Sequence, residues 1–194
     1  MLSLLAAMTA IAVTVPVRVA APLPADVLQS ALEEADSIFR PGGVVWEWSL
    51  DSGNDRSPAV MVHVEQRPSD FVVFGCSRDR HDHRLGNTHL GSRRITLWAD
   101  QVARAVDGNW DRAELPDVDD GVLARALGRV LAHELGHLFL RLNGHRDDGL
   151  MRRAFPHRSL TSRSRRGFLL SKSDMEKLRA SLVRYSSVAR SERK

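Results

Sequence analysis

Hydrophobic and polar positions follow two different periods along the first half of the chain. From Pro24 to Arg40 the apolar residues recur at the three- and four-residue spacing of one helical face, which predicts an amphipathic helix that ends at Pro41-Gly42-Gly43. Strands are predicted where β-branched and aromatic residues dominate short runs: VVWEWSL (44–50), VMVHVEQ (60–66), FVVFGC (71–76) and ITLWAD (95–100). We therefore expect a mixed, twisted sheet of about four strands behind an N-terminal helix.

Two further helices are expected in the second half. Asp119-Asp120-Gly121 supplies an N-cap for a long helix whose apolar positions run from Val122 to Leu138. Ser173, followed by Glu176, forms a capping box before a last helix. Between the sheet and the long helix, QVARAV (101–106) predicts a short helical turn, and SRDRHDHRLGNTHLGSRR (77–94) predicts a loop or an irregular edge segment. The pattern is that of an α+β fold.

The first 21 residues have the composition of a secretory signal peptide. An apolar run from Leu2 to Val15 precedes small residues at Ala20 and Ala21. On that interpretation a single domain over residues 22–186 is secreted or held in the cell envelope, and a frayed basic tail follows at 187–194. The alternatives are a first strand or a misplaced start codon, with a cytoplasmic protein. The run is too short for a comfortable transmembrane span, so none is expected in the mature chain.

Composition narrows the chemistry that the chain can support. A chain of 194 residues, 43% of them hydrophobic, is ordinary for one globular domain. Cys76 is the only cysteine, which excludes a disulfide framework and a Cys-rich zinc site. Any metal must therefore be held by histidine and carboxylate side chains.

The motif HELGH at residues 133–137 indicates a metal site. On a helix, side chains four residues apart lie one turn above each other with Cβ atoms about 5 to 6 Å apart, so His133 and His137 can reach one ion. Imidazole ligands without thiolates are typical of a catalytic zinc ion. Glu134 would lie beside the open coordination position and accept a proton from a water whose pKa zinc lowers to about 7. The motif predicts one zinc ion per chain with Glu134 as general base.

A third ligand is expected just after the long helix. Since a helix rises about 1.5 Å per residue, an unbroken helix would carry His145 past the metal. Asn143-Gly144 predicts the necessary turn, because glycine readily adopts the left-handed conformation that ends helices. His145 is the predicted third ligand, and three side chains remain as alternatives: Asp147, Asp148 and Glu176.

These residues resemble the active-site motif of metzincin-type zinc metallopeptidases, in particular small uncharacterised bacterial proteins with a longer spacing. The resemblance rests on HELGH, the polar turn, His145 and Gly-Leu-Met at 149–151. It extends loosely to four other segments: IFRPGGVVWEW, Leu85-Gly86, ITLWADQV and FLLSKSDMEKLR. It implies a zincin/metzincin-like fold with a long active-site helix.

The same resemblance assigns roles to individual residues. It implies that His133, His137 and His145 bind zinc, that Glu134 is the general base, and that Met151 is an apolar floor beneath the imidazoles. One departure concerns the third histidine. The standard pattern has glycine where this chain has Leu140, and it reaches the third histidine two residues earlier.

The resemblance also implies a substrate site. Peptidases of this kind bind an extended peptide antiparallel to an exposed edge strand beside the zinc ion. The segment from Leu85 to His89 is the candidate edge, with His89 or a nearby donor stabilising the oxyanion. The group His81, His83 and His89 is otherwise interpreted as solvated, the alternative being an adventitious metal site.

The sequence therefore predicts a zinc endopeptidase acting on peptides or proteins, and two other classes remain. One is a zinc-stabilised domain that binds peptides or a partner without hydrolysis. The other uses the six arginines between Arg152 and Arg166 to bind an anionic polymer. The basic C-terminal region is interpreted mainly as solvated. Nucleic acid is not expected as the principal partner, because the segment has few aromatic residues for stacking.

Overall fold

A computed structural model describes residues 11–19, 23–50, 60–67, 84–110, 114–142 and 144–191. Within these ranges the elements are β1 (Ile11–Val19), α1 (Ala25–Phe39), β2 (Val44–Leu50), β3 (Met61–Glu65), β4 (Gly86–His89), β5 (Arg94–Trp98), α2 (Ala99–Asp107), α3 (Asp120–Leu140), α4 (His157–Thr161) and α5 (Lys172–Ser191). Helices α1, α3 and α5 and strands β2, β3 and β5 confirm the predicted elements. The predicted strand at 71–76 lies outside the described residues.

The strands form one mixed sheet in the order β2-β1-β3-β5-β4. Strand β1 is parallel to β2 and β3, β3 is parallel to β5, and β4 is antiparallel to β5. The described part of the chain thus has five strands where about four were expected. The segment GNTH was predicted to be a loop or irregular edge and forms β4, whose mostly half-buried residues lack the apolar alternation that marks a strand in sequence.

Residues 11–19 form the strand between β2 and β3. Their pairing with β2 runs from Ile11 opposite Val44 to Val17 opposite Leu50, and Val13 is buried. A first strand was the alternative to the predicted signal peptide. Cleavage after Ala21 would remove β1, so the two interpretations of this segment exclude each other, and export remains a prediction. Residues 1–10 and 20–22 lie outside the described residues.

The core lies between the sheet and helices α1 and α3. Leu32 of α1 and Leu131 of α3 are buried together with Val62 of β3 and Leu97 of β5. The apolar face of α1 predicted by its period is therefore the face it buries. Helix α3 is buried along most of its length, which fixes the helix that carries HELGH against the sheet.

The Arg-rich segment between Arg152 and Arg166 is folded onto α3. Arg129 of α3 is fully buried and donates to the Leu160 carbonyl at 3.1 Å and to the Glu34 carboxylate at 3.0 Å. Arg165 donates to the other oxygen of Glu34 at 2.8 Å. Because a buried charge must be paired and hydrogen-bonded, this network ties the segment to the two central helices. The segment is therefore only partly the solvated run that was predicted.

Helix α5 is capped two residues earlier than expected. Ser171 Oγ accepts the Asp174 N–H at 3.1 Å and donates to Asp174 Oδ2 at 3.0 Å. The predicted box, Ser173–Glu176, has the same spacing two residues later in the chain. The earlier box forms because Asp174 is also buried and paired with Arg146.

The C-terminal end of α5 is longer than expected. The helix runs to Ser191, whereas fraying was expected after residue 186. The sequence SSVARS contains neither glycine nor proline to break it. No helix among the described residues is long and apolar enough to cross a membrane.

Candidate metal centre

Helix α3 places the first two histidines on its buried face. The helix starts as predicted, with the Asp119 side chain accepting the Val122 N–H at 3.0 Å. His133 is buried and His137 is half-buried one turn later. Their ring centroids lie 4.6 Å apart. The four-residue spacing thus brings the two imidazoles together, as expected for a helix.

The chain turns directly after α3, but not at the predicted glycine. Arg141 adopts the left-handed conformation, with φ of 52°, and its N–H donates to the His137 carbonyl. The turn residue is therefore Arg141 and not Gly144. The backbone N–H of Arg141 already satisfies a carbonyl in the last turn of α3, so the helix ends directly after Leu140. Asn143 lies outside the described residues.

His145 returns to the helix and completes a group of three imidazoles. Its Nε2 lies 3.2 Å from the Nε2 of His137, which lies 2.9 Å from the Nε2 of His133. One ligand atom from each residue lies within 4.8 Å of the others. In the part of the chain that the structure describes, this is the one group of three residues that could hold a metal ion.

The other candidate ligands lie outside this group. The alternative third ligands are all exposed: Asp147, Asp148 and Glu176. His89 is exposed at the end of β4, whereas His81 and His83 lie outside the described residues.

The hydrogen-bond partners of the rings leave Nε2 lone pairs directed at a shared position that a cation can occupy. His133 Nδ1 donates to the Leu150 carbonyl at 2.7 Å, and His137 Nδ1 donates to the Leu142 carbonyl at 2.8 Å. A neutral imidazole has one proton, so both Nε2 atoms carry lone pairs and cannot bond to each other. Tetrahedral zinc with Zn–N bonds of about 2.0 to 2.1 Å would hold its nitrogen ligands about 3.3 Å apart. The donor set and its spacing fit zinc.

Burial keeps these imidazoles neutral, which is the form that binds metals. It lowers the pKa of His133 to about 4, although the hydrogen bond to Leu150 raises it. Burial also lowers the pKa of His137 and of His145, and the pKa of His145 is lowered further by the positive charge of Arg153 and by repulsion from His137 whenever both rings are protonated. The group is therefore able to bind a cation at neutral pH without first releasing protons.

Glu134 is buried beside the imidazoles and is held by strand β4. Its Oε2 accepts a hydrogen bond from Thr88 Oγ1 at 2.5 Å. Burial raises the pKa of Glu134 to about 7, while the Thr88 hydrogen bond and the charge of Arg84 lower it. Gly86 leaves space for the carboxylate, since a Cβ there would lie 3.1 Å from Glu134 Oε1.

Strand β4 is an edge strand, as predicted for the segment from Leu85 to His89. It pairs with β5 on one side and is the last strand of the described sheet. Through Thr88 it also contacts α3, so this strand lies next to the buried carboxylate of Glu134.

Met151 is buried against the turn of α3 that carries the histidines. A Cβ at Gly136 would lie 2.3 Å from Met151 Sδ, so the sulfur occupies the space that a larger residue would need. Phe155 packs edge-on against the His133 ring, with centroids 5.2 Å apart. Met151 thus lies against the motif helix, where the resemblance implied an apolar floor.

Sequence reasoning did not single out Thr88 or the two carbonyl acceptors. Carbonyl groups have no side-chain signature, and Thr88 lies 46 residues from Glu134. The one available signal was the spacing of Gly86 and Thr88, which places both on the same face of a strand.

Comparison with known proteins gives a result only at the level of structure. No protein-family model matches the chain, and no curated protein matches it. A zinc-dependent peptidase from Methanocorpusculum labreanum aligns with a TM-score of 0.52 and 14% sequence identity over 84% of this chain and 99% of that chain. Archaemetzincin from Methanopyrus kandleri aligns with a TM-score of 0.51 and 13% identity over 88% of this chain and 96% of that chain. The chain therefore has the fold of metzincin-like zinc peptidases.

Proposed function

We propose that the protein is a zinc-dependent peptidase in which His133, His137 and His145 hold one zinc ion and Glu134 is the general base. The observation that carries the proposal is the convergence of three imidazole nitrogens, two of which belong to rings whose other nitrogen is hydrogen-bonded to a backbone carbonyl. The metzincin-like fold supports it, because the solved neighbours include a zinc-dependent peptidase.

The residues around the proposed zinc have separate roles in peptide hydrolysis: binding the metal, transferring a proton and orienting the groups that do so. Zinc on three neutral ligands would act as a Lewis acid that polarises the scissile carbonyl and makes water acidic. Glu134 would take a proton from the attacking water and pass it to the leaving amine. Thr88 holds one carboxylate oxygen, so the base is oriented before the substrate arrives. The carbonyls of Leu142 and Leu150 fix the ring orientations of the two helical ligands.

An extended peptide along β4 is the substrate that the geometry favours. Among the described residues β4 is paired on one side only, so its other side can offer backbone hydrogen bonds to an added strand. Because Thr88 joins this strand to Glu134, a peptide bound along it would pass close to the base. A substrate held along its length, without recognition of a chain end, would be cleaved internally.

The test is hydrolysis of a mixture of unstructured peptides by the purified full chain supplied with one equivalent of zinc. We expect internal cleavage, its loss on addition of a chelator, and its return with zinc but not with magnesium, which prefers oxygen ligands. Stoichiometric zinc binding without cleavage of any peptide would instead support the non-catalytic, zinc-stabilised partner-binding domain.

Replacing Thr88 by valine is expected to lower kcat about 10-fold or more with KM little changed, because hydrogen bonds to charged groups contribute about 1.5 to 3 kcal/mol. Valine keeps the shape of threonine and removes its hydroxyl, leaving the buried Glu134 carboxylate without this donor. Thr88→Ser is the matched control and should retain most of the activity. Steady-state kinetics on one cleavable peptide decide the outcome, and equal kcat in the valine and serine variants would contradict the orienting role.

A further inference from the structure

His145 differs from the other two proposed ligands because it lies in a loop. It is exposed, and its ring stacks on that of His133 and meets that of His137 edge-on, with centroid distances of 5.3 and 4.9 Å. It also comes two residues later than in the standard metzincin pattern. A longer loop has more conformational entropy to lose when its ligand becomes fixed. Contacts elsewhere in the fold must limit that loss.

Arg146, the next residue, makes such contacts in two directions. Its N–H donates to the Met151 carbonyl at 2.8 Å and so closes the loop on itself. Its guanidinium Nη2 donates to Asp174 Oδ1 at 2.7 Å, on the first turn of α5. Met151 packs against Gly136 of α3. The backbone beside His145 is thus connected both to the motif helix and to the C-terminal helix.

Asp174 is a rigid anchor for this loop. It is 3% exposed, and its backbone N–H and side chain are both bound by Ser171 in the cap of α5. A buried carboxylate is stable only when it is paired and hydrogen-bonded, which makes Arg146 its required partner. In this pair Asp174 is held in place by the cap of α5, and Arg146 is the residue next to the proposed ligand His145.

We propose that the Arg146–Asp174 ion pair positions His145 for metal binding, so that the first turn of α5 is part of the metal centre although it supplies no ligand. This inference rests on the proposed function, from which it takes zinc as the metal bound by His145. Arg146 and Asp174 act through His145 and are positioning residues.

Zinc affinity of the full chain, measured by competition with a chromophoric chelator, tests the proposal. Arg146→Gln is expected to bind zinc about 10- to 100-fold more weakly, as is typical for loss of an outer partner of a metal ligand. Asp174→Asn should weaken binding in the same way, and the double variant should be no weaker than the weaker single variant, because both changes break one interaction.

The sign of the Arg146→Gln effect separates positioning from simple electrostatics. Removing a positive charge near a divalent cation would, through space alone, strengthen zinc binding. A weaker affinity in this variant therefore reports the loss of loop position. Asp148→Asn is the matched control, since it changes an exposed acid in the same loop. Loss of this exposed negative charge should weaken zinc binding only slightly, because solvent screens it, and far less than Arg146→Gln.

Measurements on the zinc-free protein separate a local effect from unfolding. The urea midpoint of Arg146→Gln should fall, because the variant leaves the buried Asp174 carboxylate without its charged partner, but the zinc-free chain should still be folded without urea and unfold in one cooperative transition. Hydrogen exchange of the backbone N–H at position 146 should be faster in the variant, because the hydrogen bond from this N–H to the Met151 carbonyl opens more often once the ion pair is lost. Unchanged exchange together with unchanged zinc affinity would overturn the proposal.

The outcomes also distinguish this inference from the proposed function. If the unmodified chain hydrolyses peptides and Arg146→Gln binds zinc equally well, the positioning role is wrong and the peptidase stands. If zinc affinity depends on Arg146 but no peptide is cleaved, the positioning role stands and the peptidase fails. An unmodified chain that binds no zinc overturns both.

Discussion

Replacement of Glu134 by glutamine is expected to lower kcat for peptide hydrolysis about 10²- to 10⁴-fold, the range that a positioned general base contributes. Glutamine has nearly the same size and can still accept the Thr88 hydroxyl through its amide oxygen, so the site keeps its shape. It cannot take a proton from water. Zinc content should stay at one per chain, because Glu134 is not among the three residues that meet at the metal position.

Steady-state kinetics and metal analysis on the same preparation check this prediction. Glu176→Gln is the matched control, because Glu176 was an alternative ligand and lies exposed on α5. It should change neither zinc content nor rate. Retention of full activity in Glu134→Gln would show that Glu134 is not the general base. Loss of zinc in that variant would mean that the carboxylate is itself a ligand.

Deletion of residues 1–21 is expected to abolish cooperative folding. It removes β1, which pairs with β2 over seven residues and with β3 over three. Each ladder hydrogen bond contributes about 1 kcal/mol, and a domain of this kind has only about 5 to 15 kcal/mol of total stability. Loss of β1 also separates β2 from the rest of the sheet. Circular dichroism during urea titration should show no two-state transition for the shortened chain.

Two single substitutions on β1 test the same point without truncation. Val13 is 2% exposed, and its neighbour Ala12 is on the exposed face. Val13→Asp buries an unpaired charge and should lower the free energy of unfolding by about 3 kcal/mol or more, whereas Ala12→Asp should change it little. A shortened chain with full stability would show that β1 is dispensable and would favour the predicted export signal for this segment.

Periodicity predicted the elements whose own residues decide their structure. Helix α1 and helix α3 were predicted because their apolar spacing is local, and β2 and β5 because β-branched and aromatic residues fill them. The four residues of β4 have no such pattern, and they become a strand only because β5 lies alongside. Strand β1 was ambiguous for a related reason, since a short apolar run suits a signal peptide and a buried parallel strand equally.

The metal centre was predictable where its residues are close in sequence. His133, Glu134 and His137 follow from helical spacing, and His145 from the need for a turn. The partners that orient them come from distant parts of the chain. Thr88 is 46 residues from Glu134 and Asp174 is 28 residues from Arg146, so no local spacing marks either contact. Only the packing of β4 and α5 against the metal-site elements reveals them.

The three-imidazole site is tested by the zinc content of the purified protein beside that of its His145→Ala variant, with His89→Ala as control. We expect one zinc per chain in the unmodified protein and in the His89 variant. The His145 variant should lose tightly bound zinc, because two imidazoles alone leave the ion with too few protein ligands. Equal, tightly held zinc in all three proteins would show that His145 is not a ligand and would contradict the three-imidazole site.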